Sequence, residues 1–309
     1  MSTTPNPLRG IALKVASVCV FVTMAALIKA TSDGIPPGQA VFFRSFFALP
    51  VILAWLVIQH DLVTGWRTQN PMGHLWRGLV GSTAMGLGFA GLGLLPLPEV
   101  TAIGYAAPIL VVVFAAMFLG EQVRLFRLSM VALGLGGVLI VLSPRLAVDP
   151  TSADTGQALG AVLVLMGAVC AALAQVFVRK LVQTERTAAI VFWFSITASC
   201  LSLLTLPWGW AWPTPAQTGM LIAAGLAGGV GQILLTSSYR YADASLIAPF
   251  EYSSMLLALI VGYTVFHEVP TPPMLIGAAL IVTAGIAIIW RERQLGLKRG
   301  ARRASTPHG

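Results

Sequence analysis

Apolar runs close to 20 residues long recur through almost the whole chain, and they restrict it to the membrane. A helix needs about 20 residues to cross a hydrocarbon core of about 30 Å. Only 10% of the 309 residues are charged and 57% are hydrophobic, whereas ordinary soluble domains carry about 25% charged residues. The sequence therefore predicts an all-α membrane protein with ten transmembrane helices. The predicted spans are Gly10 to Lys29, Gly38 to Gln59, His74 to Leu95, Val100 to Leu119, Leu125 to Leu142, Leu159 to Phe177, Ala188 to Leu206, Ala216 to Ser238, Ala244 to Phe266 and Pro273 to Trp290.

The distribution of basic residues predicts the orientation, because short loops rich in Lys and Arg stay in the cytoplasm. With the N-terminus inside, all 19 Lys and Arg residues except Lys29, Arg44 and Arg145 fall on the cytoplasmic side, Lys14 and Arg77 among them. Both termini are therefore expected in the cytoplasm. Anionic lipid headgroups are the expected partner of the basic tail, and no nucleic-acid partner is predicted.

The chain divides into two similar halves at the hydrophilic stretch Pro144 to Gln157. Each half contains an acid, a hydroxyl residue, an early proline and a closing glutamate in the same order. These residues are Glu99, Thr101, Pro108 and Glu121 in the first half, and Asp243, Ser245, Pro249 and Glu268 in the second. Because five helices is an odd number, the second copy enters the membrane from the opposite side, a pattern shared by many secondary transporters. A duplication kept only for packing is the alternative.

The predicted organisation is a first repeat over 1–143, a linker over 144–157, a second repeat over 158–290 and a basic cytoplasmic tail over 291–309. Glycines such as Gly225 and Gly229 have the small-xxx-small spacing that lets helices pack closely. Most of the glycines in the third and eighth spans are expected to serve packing, and the others leave room for a ligand.

No enzyme chemistry is indicated by the motifs. The chain lacks the G-x-x-x-x-G-K-[ST] phosphate loop and the H-E-x-x-H metal motif. Its cysteines, Cys19, Cys170 and Cys200, lie singly inside spans without paired ligand spacing. We therefore predict no catalytic residues, no bound metal and no cofactor.

Three stretches carry a family resemblance: PPGQAVFFRSFFALP at the second span, LGEQVRLFRL after the fourth and FHEVPTPPMLIGAALIVTAGI after the ninth. Together with the inverted halves they resemble the EamA-type branch of the drug/metabolite transporter superfamily, over nearly the whole chain. The resemblance implies ten helices around a central cavity, in a bacterial inner membrane, as a monomer or homodimer. It also implies export of a small-molecule substrate by alternating access, most of all an aromatic or neutral amino acid. Export of drugs, organic cations or nucleosides is the alternative, and an ion channel is the alternative from another class.

Glu251 is the first predicted substrate-binding residue, since a charge at the centre of a membrane helix costs about 2.5 to 3.5 kcal/mol. It lies eight residues after Asp243, which at a rise of 1.5 Å per residue puts it about 12 Å inside the membrane. Pro249 predicts a kink beside it. We expect the carboxylate to receive the ammonium group of a zwitterionic substrate. The alternative is a structural ion pair, or a protonated glutamate bonded between helices.

Five further residues are predicted to contact substrate, and each has a structural alternative. Arg44 lies about 9 Å below the outer face and is long enough to snorkel outward instead. Lys29 stands at a helix end, which also suits an interfacial position. Tyr105, Gln232 and Tyr252 offer hydrogen bonds or ring faces to an amphipathic ligand, and they are equally suited to tie helices together.

Overall fold

The computed structural model describes residues 7–119, 125–146, 155–181, 184–241 and 248–304, and these residues form helices and no strand. The helices are α1 Pro7–Thr31, α2 Pro37–Phe46, α3 Ala48–Ile58, α4 Pro71–Leu94, α5 Leu97–Gly104, α6 Ala106–Leu119, α7 Leu125–Leu146, α8 Thr155–Leu181, α9 Thr187–Leu203, α10 Pro215–Tyr241, α11 Ser253–Phe266 and α12 Pro272–Ala304. Short 3-10 turns span Leu206–Trp208 and Ala248–Tyr252.

Seven helical stretches of the described residues are long and apolar enough to cross a membrane. They are Leu8–Thr31, Pro37–Ile58, Leu97–Phe114, Leu128–Arg145, Thr155–Val178, Pro215–Leu235 and Pro272–Arg291. The stretches Thr187–Leu203 and Phe250–Phe266 are apolar but shorter. The predicted all-α membrane fold is thus confirmed, whereas the count of ten spans and their inverted arrangement stay predictions.

Three of the predicted spans contain a break in the helix. α2 and α3 are separated at Phe47, three residues before Pro50, and α5 and α6 at Tyr105, three residues before Pro108. A proline cannot donate the backbone hydrogen bond to the preceding turn, so the helix is interrupted there. The third break is the turn Ala248–Tyr252, where the sequence predicts a kink at Pro249.

Close helix packing depends on glycine at several crossings. α1 packs along α10, α4 along α8 and α7 along α12. At the α7–α12 crossing, a Cβ added to Gly277 would lie 2.5 Å from the carbonyl oxygen of Gly137. The face of α10 that carries Gly225 and Gly229 packs closely on α2 and α3, as predicted from the spacing of the two glycines. A Cβ added to Gly225 would lie 2.5 Å from the Cβ of Phe47, and a Cβ added to Gly229 would lie 2.8 Å from the Cβ of Val51.

The largest buried apolar cluster lies between α5, α6, α7, α8, α11 and α12. It includes Ile103, Ala106, Val138, Ala161, Met274 and Ile281. Tyr105 and Tyr252 belong to the same cluster, so the core holds the break between α5 and α6 and the turn Ala248–Tyr252 in place. Trp208 and Trp212, in the loop after α9, are 79% and 98% exposed, as expected of residues at a membrane interface.

Candidate functional site

An ion pair between Lys14 and Glu251 joins α1 to the 3-10 turn that precedes α11. The side chain of Lys14 is 2% exposed and that of Glu251 is 50% exposed. A buried ammonium group is costly without a counter-charge, so the Glu251 carboxylate is what permits Lys14 at this depth. The Glu251 side chain is thus only half enclosed by the protein, whereas that of Lys14 is fully enclosed.

Tyr105 and Tyr252 lie beside this ion pair, Tyr105 at the break between α5 and α6 and Tyr252 in the turn Ala248–Tyr252. Their rings meet edge to face, with centroids 5.1 Å apart. The hydroxyl of Tyr105 forms a short hydrogen bond with that of Ser254. The ring of Tyr252 fits against α12 because residue 285 is glycine, whose added Cβ would lie only 1.6 Å from the Tyr252 hydroxyl. The two tyrosines therefore connect the breaks of the two halves.

Lys29 and Glu268 form a second ion pair at the end of the bundle where α1 ends, with 2.9 Å between Nζ and Oε1. Lys29 also donates to the carbonyl oxygens of Leu92 (3.1 Å) and Leu95 (2.7 Å) at the end of α4. Glu268 accepts the N–H of Leu97 at the start of α5, at 2.8 Å. Lys29, from the first half, and Glu268, from the second half, thus provide hydrogen-bond partners for backbone groups at the end of α4 and the start of α5.

Glu185 organises the opposite end, where α1 begins. It lies between α8 and α9, and one carboxylate oxygen accepts the N–H groups of Gln69 and Asn70, both at 2.8 Å, and the hydroxyl of Thr68 at 2.9 Å. Burial alone would raise the pKa of Glu185, but these hydrogen bonds lower it below its usual value. The loop before α4 is therefore held to the loop after α8 by a charged acceptor.

Arg44 lies inside the bundle on α2, at 4% exposure, so it does not snorkel to the outer face. Its guanidinium carbon lies 5.7 Å from the centre of the Phe194 ring. Gln232 is half-buried on α10, next to Gly231, whose carbonyl oxygen accepts the hydroxyl of Ser17 at 3.0 Å. The structure thus brings Glu251, Tyr105 and Tyr252 together, and it places Lys29 and Arg44 elsewhere in the bundle.

A cleft of about 240 Å³ opens at the end of the bundle where α1 ends. Its lining includes Ile28, Ser32, Ile35, Pro37 and Phe89, from α1, α2, α4 and the α1–α2 connection. None of the six predicted substrate-binding residues lines this cleft. This mostly apolar cleft is therefore separate from the polar site that the sequence predicts.

Two charged residues at these sites have partners inside the bundle that the sequence does not predict. The sequence counts Lys14 and Arg77 with the cytoplasmic residues, and the structure buries Lys14 against Glu251 and places the half-buried Arg77 over the ring of Phe194. The available signal is that each lies inside an apolar stretch, several residues after its helix begins. Asp243 and Glu121 of the predicted repeat lie outside the described residues.

A model of the EamA-like transporter family matches residues 8–143 and 158–291. A model described as solute carrier family 35 matches residues 100–207. A solved crystal structure superposes with a TM-score of 0.66 at 20% identity, covering 91% of this chain and 97% of that one. That likeness concerns the fold alone.

Several curated transporters are similar over most of their length. The pseudopaline exporter CntI of Pseudomonas aeruginosa is 31% identical and covers 90% of this chain and 95% of its own. The riboflavin transporter of Rhizobium johnstonii is 28% identical, over 83% of this chain and 82% of its own. The S-adenosylmethionine uptake transporter of Rickettsia bellii is 26% identical, over 84% and 86%. These relatives carry different metabolites, and their names give both directions of transport.

Proposed function

Because the chain belongs to the EamA-like transporter family, we propose that it is a secondary transporter that exports amino acids or closely related small metabolites by alternating access. The observation that carries the proposal is the ion pair of Lys14 and Glu251, which lies at a helix break between segments of the two halves. Charged groups in membrane helices are expensive and mark substrate or ion pathways.

Glu251 is proposed to accept the ammonium group of the substrate. The Glu251 side chain is half exposed and that of Lys14 is buried, so an incoming ammonium group approaches from the exposed side of Glu251. A charge-assisted hydrogen bond then replaces water contacts that the ammonium group loses on entry. Tyr105 and Tyr252 supply ring faces and hydroxyl groups next to the same carboxylate.

Export is the proposed direction, supported by the exporter among the relatives, which is 31% identical. The uptake transporters among them make direction a separate question. Loading substrate on one side of oriented vesicles and measuring its efflux and uptake decides it. Faster transport toward the side opposite the termini supports export, and the reverse contradicts it.

The proposed architecture is ten transmembrane helices in two inverted repeats, in a bacterial inner membrane, with both termini cytoplasmic. The two separate matches of the family model, 8–143 and 158–291, support the division into repeats. Single cysteines in a cysteine-free background, labelled in oriented vesicles, test it. A residue in 144–157 should label only from the outside, and labelling from the cytoplasmic side would contradict the arrangement.

Counterflow in proteoliposomes tests the function and separates the alternatives. We expect saturable exchange of at least one amino acid, measured in a panel with nucleosides and cationic dyes. Exchange of only dyes or nucleosides would favour the multidrug or nucleoside alternative. Ohmic current without saturation would favour a channel, and either result would overturn the proposed amino-acid transport.

A further inference from the structure

Two arginines lie against one aromatic ring inside the bundle. The guanidinium carbon of Arg77, on α4, lies 3.7 Å from the ring centre of Phe194, on α9, and that of Arg44, on α2, lies 5.7 Å from it. The Nε atom of Arg44 and the Nε and Nη1 atoms of Arg77 are buried and make no hydrogen bond. The ion pairs that the structure gives for its described residues include neither arginine.

This arrangement is costly in the absence of a ligand. Burying a charge without a partner is unfavourable even after local relaxation, and the two guanidinium groups also repel each other. Contact with an aromatic face offsets only part of this free energy for each cation. The ring of Phe194 therefore orients the two groups without compensating their charge.

The backbone beside the arginines leaves room for their head groups. A Cβ added to Gly81 on α4 would lie 2.4 Å from Nη1 of Arg77, and one added to Gly228 on α10 would lie 3.1 Å from Nε of Arg44. Glycine at these two positions lets both guanidinium groups lie directly against helix backbone. Helices of both halves contribute to the arrangement, since α2 and α4 pack on α9.

We infer that Arg44, Arg77 and Phe194 form a binding site for a carboxylate group, and that the molecule transported under the proposed function carries one. A guanidinium group presents parallel N–H donors that match the two oxygens of a carboxylate. One carboxylate supplies both the missing counter-charge and the missing acceptors. The site itself is inferred from geometry, and only its link to transport rests on the proposed function.

Unfolding temperatures of the full-length protein, purified in neutral detergent, test the site. The probes are acetate, succinate and L-phenylalanine, each compared at equal ionic strength with its amide: acetamide, succinamide and L-phenylalaninamide. At least one carboxylate should raise the unfolding temperature in a saturable way, by mass action, and its amide should not. The difference should disappear in Arg44→Gln and in Arg77→Gln and persist in Arg186→Gln, a matched control on the loop before α9.

Stability without a probe distinguishes a binding site from a structural role. Each glutamine variant removes an uncompensated buried charge, so it should unfold at or above the temperature of the wild type. Arg77→Lys keeps the positive charge but lacks the parallel N–H donors of a guanidinium group. It should therefore bind the stabilising carboxylate more weakly than the wild type. The inference is overturned if no carboxylate raises the unfolding temperature more than its amide does. It is also overturned if Arg44→Gln and Arg77→Gln show the same rise as the wild type.

Counterflow of the same probes separates this inference from the proposed function. Stabilisation by a carboxylate without counterflow would support the site and contradict the transport of that molecule. Counterflow that is unchanged in both glutamine variants would support transport and contradict the inference that the transported molecule binds at this site.

Discussion

Lys14 shows how a single residue depends on a distant part of the chain. It lies in the first apolar span, and its counter-charge, Glu251, is 237 residues away in the sequence. From the sequence, we expect Glu251→Gln to insert and fold normally. The ion pair revises this expectation, because the substitution leaves the ammonium group of Lys14 buried without a counter-charge.

A double-mutant cycle on Lys14 and Glu251 measures their coupling. Removing one partner of a buried pair costs about 3 to 5 kcal/mol, and the half-exposed state of Glu251 puts the expected value below that range. Glu251→Gln should lower the unfolding temperature more than Lys14→Met, because it leaves the buried ammonium group of Lys14 without a counter-charge. The double variant should be more stable than Glu251→Gln alone. Additive effects in the cycle would mean that the pair does not contribute to stability.

Glu185 gives the fold a defined acid sensitivity. Its pKa is lowered in the folded state, so it contributes stability above its unfolded pKa of about 4.3. That contribution is lost as the pH falls through the lower folded value. We expect the wild type to lose more stability than Glu185→Gln when the pH is lowered from about 6 to below 4. Hydrogen exchange of residues 64–70 reports the same loss locally, and equal acid sensitivity of the two proteins would contradict it.

At the scale of helices, the α7–α12 crossing depends on one of two neighbouring glycines. Gly137 lies against the backbone of Gly277, whereas a Cβ on Gly136 would have nothing within 4 Å. Gly137→Ala should therefore lower the unfolding temperature by forcing the helices apart. Gly136→Ala, the matched control, should be neutral or raise stability by up to about 1 kcal/mol through helix propensity. Similar effects of the two substitutions would show that the crossing is loosely packed.

The ion pair of Lys29 and Glu268 is positioned to hold one end of the bundle closed. Glu268→Gln keeps an acceptor for the N–H of Leu97 and removes the charge that binds Lys29. We expect a cysteine at Ser32, which lines the nearby cleft, to react several-fold faster with a membrane-impermeant maleimide in this variant. Asp61→Asn at the opposite end serves as the control. Unchanged labelling would show that the pair only caps helix ends.

At the scale of the whole molecule, apolar length was sufficient to predict where helices lie, because that signal is local. The predicted span Ala188 to Leu206 and α9, for example, begin one residue apart. The partners of Lys14 and Arg77 were not predictable, because each is set by the packing of a helix from the other half. The same limit applied to Arg44, whose burial depends on α9 and α10.

In the proposed function, the carboxylate of Glu251 binds the substrate during transport. Counterflow of a zwitterionic amino acid found in the panel, measured at matched protein levels, tests it most directly. Glu251→Gln and the double variant Lys14→Met with Glu251→Gln should both transport at least about tenfold more slowly, as expected from the loss of a charge-assisted bond of about 1.5 to 3 kcal/mol. Arg186→Gln should keep the wild-type rate. A stable double variant with the wild-type transport rate and pH profile would contradict substrate binding by Glu251 and show that its carboxylate is structural.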